Sequence, residues 1–326
     1  MAMDSAVLRL QSGDPMPRVG LGTWLSQAVG TVQPHSAGTV ADAVKTALDC
    51  GYRHIDCAMA YGNQAEIGAV FAEYFSSGKL KREDVFVTSK IWNVYHSHEK
   101  TSEAVEIILK DLQLPYLDMC LIHWPQGYLE GQGMFPKDAN GKIQYSNVDY
   151  LDTWRAMEDA VKAGKVRNIG VSNFNRKQVE RINANANIKV SNLQVEAHPY
   201  FPQDACLRFC QENDISMTAF SPLANNSHMF RKEGQPNLLE EELIKRIAQA
   251  HNKTAAQVVL RWAIQRGTAV IPKSCTPSRI RENFGIFDFQ LTTDQMQQIA
   301  SLDRNLRLLT LDRDLEHPLY PFKISF

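Results

Sequence analysis

The sequence has no excess of charge of either sign. Its 35 Lys and Arg stand against 36 Asp and Glu in 326 residues, a formal net charge of −1. So even a balance gives no field that would draw in a nucleic acid or an anionic bilayer. It has no apolar run long enough to span a membrane, and Asp4, Arg9, Asp14 and Arg18 interrupt the stretch where a signal peptide would need its apolar core. These absences predict a cytoplasmic chain with a small-molecule partner, and the sequons at Asn225 and Asn252 then go unused. Cysteine is sparse and unpaired: the six residues at 50, 57, 120, 206, 210 and 275 show no C-x-x-C spacing, as expected of reduced thiols. Cys206 and Cys210 lie one helical turn apart, but no His or second Cys pair at ligand spacing accompanies them. They read as half-buried helix residues, and no metal is expected. A G-x-G-x-x-G turn after a strand is also missing, which disfavours a Rossmann fold.

What the chain does have is alternation. Residues 7–10 and 17–19, joined through Gly13-Asp14, read as a hairpin able to plug the bottom of a barrel. Strand patterns then follow at 19–23, 53–57, 85–90, 117–123, 166–171, 193–196, 216–220 and 269–271. Helical patterns fall between them, at 37–50, 65–75, 101–112, 175–184 and 205–213, with Leu151, Trp154, Met157 and Val161 marking one more helix face. Residues 239–250 form an extra helix. A stripe of Ala255, Val258, Val259, Trp262 and Ala263, closed by Gly267, supplies the next crossover. One helix opens near Pro277, and a capping box at Thr292 and Gln295 starts another. The pattern predicts a single α/β domain over 1–326: a (β/α)8 TIM barrel with an N-terminal β-hairpin plug and two extra helices. Loops 124–147 and 224–236 and a tail at 305–326 have no regular pattern and are placed to wall the barrel mouth.

Three successive strands end in Asp56, Lys90 and His123, and Tyr61 lies in the loop five residues beyond Asp56. In parallel α/β folds the C-terminal strand ends carry the chemistry. A free phenol titrates near ~10, and an ammonium beside it stabilises the phenolate. Lys90 fits that role, Asp56 would hold the lysine's charge, and His123 would donate to a carbonyl oxygen while Tyr61 acts as general acid. Taken singly, each has an ordinary structural reading as a strand end, a cap, a loop aromatic or a satisfied imidazole. Their joint placement is what favours a site. Ser172 and Asn173 at the fifth strand's end, with Gln194 in the sixth, offer donors and acceptors suited to a carboxamide. Lys273, Ser274, Thr276 and Arg279 surround a helix N-terminus, where free N–H groups and the dipole favour a phosphate.

Residues 51–63, continued through Ile67-Gly68, resemble the first signature of the aldo-keto reductases. Gln64 stands where that signature usually has glutamate, which predicts a changed local hydrogen bond. Residues 271–283 match the family's phosphate-binding signature in full. The likeness runs from Gly20-Leu21-Gly22-Thr23-Trp24 to Tyr320-Pro321-Phe322 and is nearest the aldose and aldehyde reductase branch.

The resemblance implies a monomeric NADPH-dependent reductase of aldehydes and ketones, with Asp56, Tyr61, Lys90 and His123 as its catalytic tetrad. It implies cofactor contacts from Thr23, Trp24, Asp56, Ser172, Asn173, Gln194, Phe220, Ser221 and Leu223. Lys273, Ser274, Thr276 and Arg279 would hold the 2'-phosphate, with Glu282 and Asn283 at the adenine. Trp24, Trp92, His123, Trp124 and Phe135 would line the substrate pocket, with Leu309 and Leu311 in the variable tail, while Trp154 and Trp262 read as core. In relatives a loop after the seventh strand is latched over the pyrophosphate by an acid–lysine pair. The matching positions here are Ser227 and Leu25, with Ala224 for the usual Gly, which predicts faster NADP+ release unless Asn225, Asn226 or Arg231 closes the loop instead. Two alternatives stay open: a reductase specialised for one steroid-like or sugar substrate, and a non-catalytic NADPH-binding regulatory or structural protein.

Overall fold

The computed structural model describes residues 6–24, 39–224, 234–324 and 326. It opens on an antiparallel hairpin of β1 (Val7–Arg9) and β2 (Pro15–Pro17), paired Leu8 to Met16. The hairpin returns two residues earlier than the sequence pattern places it, because a turn closes through Gly13 N–H to the Leu10 carbonyl. Val19 is thereby released to bridge Val270 in the barrel. Leu10 and Met16 pack with Phe86, Met119, Leu121 and Ala269, so the hairpin does plug the barrel's bottom.

Eight parallel strands follow in sequential order: β3 (Leu21–Gly22), β4 (His54–Asp56), β5 (Phe86–Ile91), β6 (Leu117–Ile122), β7 (Val166–Ser172), β8 (Asn192–Glu196), β9 (Ser216–Phe220) and β10 (Ala269–Val270). Parallel bridges from Val19 to Val270 and from Gly22 to Lys273 join the first strand to the last and close the ring. β3 is shorter than its sequence pattern over 19–23, and Gly22 sits at the seam. A Cβ at Gly22 would sit 2.7 Å from the Ile271 carbonyl oxygen, so only glycine lets the two backbones approach there.

Helices α1 (Thr39–Cys50), α2 (Gln64–Ser76), α3 (His98–Leu112), α4 (Tyr150–Lys162), α5 (Arg176–Asn185) and α6 (Asp204–Glu212) connect successive strands. After β9 come α7 (Glu242–His251) and α8 (Ala255–Gln265), and after β10 come α9 (Pro277–Phe284) and α10 (Thr293–Ala300). In this order α7 and α10 are the two helices beyond the eightfold repeat, as the sequence predicts. Helix α3 starts three residues earlier than its apolar pattern because Ser97 caps it, accepting from the Lys100 N–H. The capping box of Thr292 and Gln295 forms as expected. No described helix is long and apolar enough to cross a membrane.

Strand alternation sorts the side chains into two sets. Cys120 and Ile122 face the helices in the main core, while Met119 and Leu121 face the lumen. Trp154 and Trp262 are core residues, each 1% exposed. Cys206 and Cys210 are fully buried in that core, not half-buried, and all six cysteines are free. Loop 124–147 is more ordered than its sequence suggests: bridges from Tyr128 to Tyr145 and from Lys137 to Ile143 fold it back on itself.

Ala224 has a φ of 54°, in the left-handed region. That region costs an L-residue about 1–2 kcal/mol, and glycine's looser unfolded chain offsets part of the relief. Ala224→Gly is therefore expected to stabilise the fold by roughly 0.5–1 kcal/mol. A urea midpoint that moves up at constant slope supports this, and an unchanged or lower midpoint refutes it.

Candidate active site

At the C-terminal mouth the lumen-facing set ends in the polar groups named from the sequence. Lys90 and Asp56 are 0% and 1% exposed. The Lys90 ammonium donates to Asp56 Oδ1 at 2.5 Å, to the Cys57 carbonyl at 2.9 Å and to Tyr61 Oη at 3.4 Å, which occupies all three of its hydrogens. Asp56 Oδ2 accepts from Gln194 Nε2 at 2.8 Å. Thr23 fixes the same segment from just beyond β3, its Oγ1 donating to the Asp56 carbonyl at 2.8 Å, while Asn63 donates to the Thr23 carbonyl at 2.9 Å. Burial is the largest single influence and would lower the lysine's pKa, but the Asp56 charge, the Tyr61 phenol and the hydrogen bonds to both together outweigh it, and the group stays above its ordinary value.

Tyr61 ends a 3-10 turn, Met59–Tyr61, closed by Gly62 at φ 67°. Burial pushes its phenol up to about 12, against a downward pull from Lys90. This corrects the expectation that the lysine brings the phenol below its ordinary value. Its pull has the expected sign, but desolvation of the phenolate is larger. His123 directly follows β6, its ring 5.9 Å from that of Tyr61 and 5.3 Å from that of Trp92. Burial and the nearby Lys90 charge hold its pKa well below the usual imidazole value, so the ring is neutral. Its Nδ1 is buried with no partner among the described residues. A bare lone pair is tolerated there better than an unpaired N–H, which puts the proton on Nε2.

Ser172 and Asn173 follow on β7, Asn173 in the left-handed region at φ 62°. Asn173 Nδ2 donates to the His123 carbonyl and to Ser172 Oγ, both at 3.1 Å, and its Oδ1 is buried with no partner among the described residues. Phe220 ends β9, followed by Ser221 at φ 48° and a half-buried Leu223. Lys273, Thr276 and Arg279 are exposed, and Ser274 Oγ accepts from the Thr276 N–H at 3.1 Å. Thr276 precedes α9, with Pro277 in its first turn and no side-chain cap, so N–H groups are left free at that terminus. Glu282 accepts from Thr254 Oγ1 at 2.7 Å, and Asn283 is buried.

Trp92, Trp124 and Tyr128 form an apolar cluster against which Phe135, Leu309 and Leu311 pack, with Trp92 and Phe135 rings 5.3 Å apart. Trp24 is half-buried beside Thr23. Gln64, at the departure from the signature, accepts through Oε1 from Ser89 Oγ at 2.5 Å. Leu25, Asn225, Asn226, Ser227 and Arg231, on which the latch expectation rests, lie outside the described residues. Among the described residues no group of three His, Cys, Asp or Glu side chains forms a metal-binding set.

Sequence reading missed two buried carboxylates beside this site, Glu196 and Asp314. Glu196 lies two residues beyond Gln194 and so on the same strand face, a period that could have flagged it. Nothing local marks Asp314, whose partners Gln126, Tyr128 and Tyr145 lie far away in sequence.

An eight-stranded parallel barrel with a buried carboxylate–lysine pair, a phenol and a neutral imidazole at its mouth defines a barrel enzyme equipped to exchange a proton with a substrate oxygen. Comparison with known proteins agrees. A model of the Aldo/keto reductase family matches residues 18–304. The chain is 44% identical over 330 residues to aldo-keto reductase family 1 member A1 of Bos taurus, covering 98% of this chain and 99% of that protein. It is 45% identical over 323 residues to the Xenopus tropicalis protein of the same name, covering 96% of each. The solved aldose reductase of Schistosoma japonicum superposes with a TM-score of 0.90 at 42% identity, covering 98% of this chain and 99% of that one. The chain belongs to the aldo-keto reductase family, and it is an oxidoreductase of carbonyl compounds.

Proposed function

We propose that this chain reduces aldehydes and ketones to alcohols with NADPH, Tyr61 serving as general acid. The contact that carries the reading is the Lys90 ammonium, which touches both the Asp56 carboxylate and the Tyr61 hydroxyl. A bound nicotinamide cofactor would supply the hydride that the carbonyl carbon takes up. Tyr61 gives its Oη proton to the carbonyl oxygen, and Lys90 stabilises the phenolate left behind. His123, neutral and carrying its proton on Nε2, donates to the same oxygen and stabilises charge developing there. Asp56 keeps the lysine charged.

The residues present suit such a cofactor. The unpartnered Asn173 Oδ1 fits an amide N–H, and Ser172 and Gln194 border it. The free N-terminus of α9, flanked by Lys273 and Arg279, fits a phosphate. The cluster of Trp92, Trp124, Phe135, Leu309 and Leu311 favours substrates with an apolar body. On the same reading the chain works as a monomer in the cytosol. Following NADPH oxidation against aldehydes, ketosteroids and sugars tests it: carbonyl-dependent turnover supports the reading, and none with any carbonyl overturns it.

Arg279 is expected to select the phosphorylated cofactor. Arg279→Ala should raise the Kd for NADPH about tenfold or more, the size of a lost charge-assisted hydrogen bond, and leave NADH nearly unchanged. Titration by tryptophan fluorescence measures both. Equal losses would make the arginine structural.

A further inference from the structure

Glu196 ends β8 with its side chain fully buried at the barrel rim. Strand alternation puts it on the same face as Gln194, the residue that bonds Asp56. A buried carboxylate must find donors, and the C-terminal tail supplies two of them. Glu196 Oε1 accepts from the Leu308 N–H and Oε2 from the Leu309 N–H, both at 2.7 Å. His198 Nε2 lies 2.9 Å from Oε1 as a third partner. The tail is docked just before this point, with the Arg304 and Leu306 N–H groups donating to the Tyr200 carbonyl at 3.1 and 3.0 Å. It is held again further on, where buried Asp314 accepts from Gln126 at 2.8 Å, Tyr128 at 2.6 Å and Tyr145 at 2.8 Å. Leu309 and Leu311 lie between the two carboxylates and pack on the Trp92, Trp124 and Tyr128 cluster.

We propose that Glu196 is a specificity-determining positioning residue: its carboxylate grips two consecutive backbone N–H groups and so sets Leu309 and Leu311 as the wall facing the substrate's apolar body. The strap they form is fastened to the barrel by Glu196 and to loop 124–147 by Asp314. Glu196 touches neither the reacting atoms nor Tyr61, so it acts on which carbonyl is held and leaves proton transfer alone. The inference rests on the carbonyl-reductase reading of this site.

Glu196→Gln keeps the shape but loses the charge and one acceptor. It is expected to raise KM for a bulky aromatic aldehyde about tenfold, the size of one lost charge-assisted hydrogen bond. The kcat, the KM for a three-carbon aldehyde and the Kd for NADPH should stay within about twofold. In a Leu311→Ala background the same substitution should add little, because the wall it positions is already gone. Equal KM rises for both aldehydes, a collapse of kcat, or full additivity with Leu311→Ala each overturns the proposal. If Glu196→Gln fails to fold, Asp314→Asn loosens the strap from its other end and should give the same split between aldehydes; its absence also counts against the proposal. If the wild type reduces no carbonyl at all, the reading of function fails, and the strap is then judged by hydrogen exchange. Leu308 and Leu309 amides protected in the wild type and exposed in Glu196→Gln support the clamp; equal exchange overturns it.

Discussion

Tyr61→Phe is expected to lower kcat for aldehyde reduction by at least ~10², with NADPH binding nearly unchanged. The substitution removes one oxygen from the mouth and leaves the Lys90–Asp56 pair, at 2.5 Å, in place. With the phenol held up at about 12 by burial, Tyr61 stays protonated across the neutral range. Reduction should therefore be flat with pH there and decline only on the alkaline side, while alcohol oxidation, which needs the phenolate, should rise with pH. Single-turnover rates over a pH series check both limbs. Turnover retained in Tyr61→Phe would remove the tyrosine from the mechanism.

Lys90→Met is expected to act on both activity and stability. It deletes the charge that pulls the Tyr61 phenol down, so kcat should fall by a factor similar to that for Tyr61→Phe, roughly 10². It also leaves the buried Asp56 carboxylate without its cation, a change that costs about 3–5 kcal/mol in comparable buried pairs. Adding Asp56→Asn should restore part of that stability and none of the activity. Lys90 is held above its ordinary 10.5, so it keeps its proton in the folded state after the unfolded chain has lost it. Its contribution is thus fully present below 10.5 and fades as the pH climbs through the higher folded value. Urea midpoints of the wild type and Lys90→Met should converge only at strongly alkaline pH. A constant gap across that range would mean that the pair is not what holds the lysine.

Much of the fold was legible because its signals are local. Parallel strands covered on both faces read as short apolar runs, as Met119-Cys120-Leu121-Ile122 of β6 do. Helix starts were marked where capping residues mark them, as at Thr292, and missed where Ser97 caps a turn of polar residues. The hairpin was found but its return was misplaced, since the strand signal of Val19 is equally strong whether the residue pairs with the hairpin or with Val270. Loop 124–147 read as irregular because single bridges such as Tyr128 to Tyr145 leave no periodic trace.

The sequence by itself determined the alternation of strands and helices, and with it that Asp56, Lys90 and His123 lie at neighbouring strand ends with Tyr61 in the loop beyond. Side-chain period and strand order are properties of consecutive residues, so one chain suffices to read them. Only the tertiary structure decided the electrostatic outcome: burial outweighs Lys90 at Tyr61, Asp56 and Tyr61 together outweigh burial at Lys90, and His123 is left neutral. It also decided that Glu196 and Asp314, 118 residues apart in numbering, hold one tail across the mouth. Desolvation and such clamps depend on what the rest of the chain packs around a group, and no local stretch of sequence carries that information.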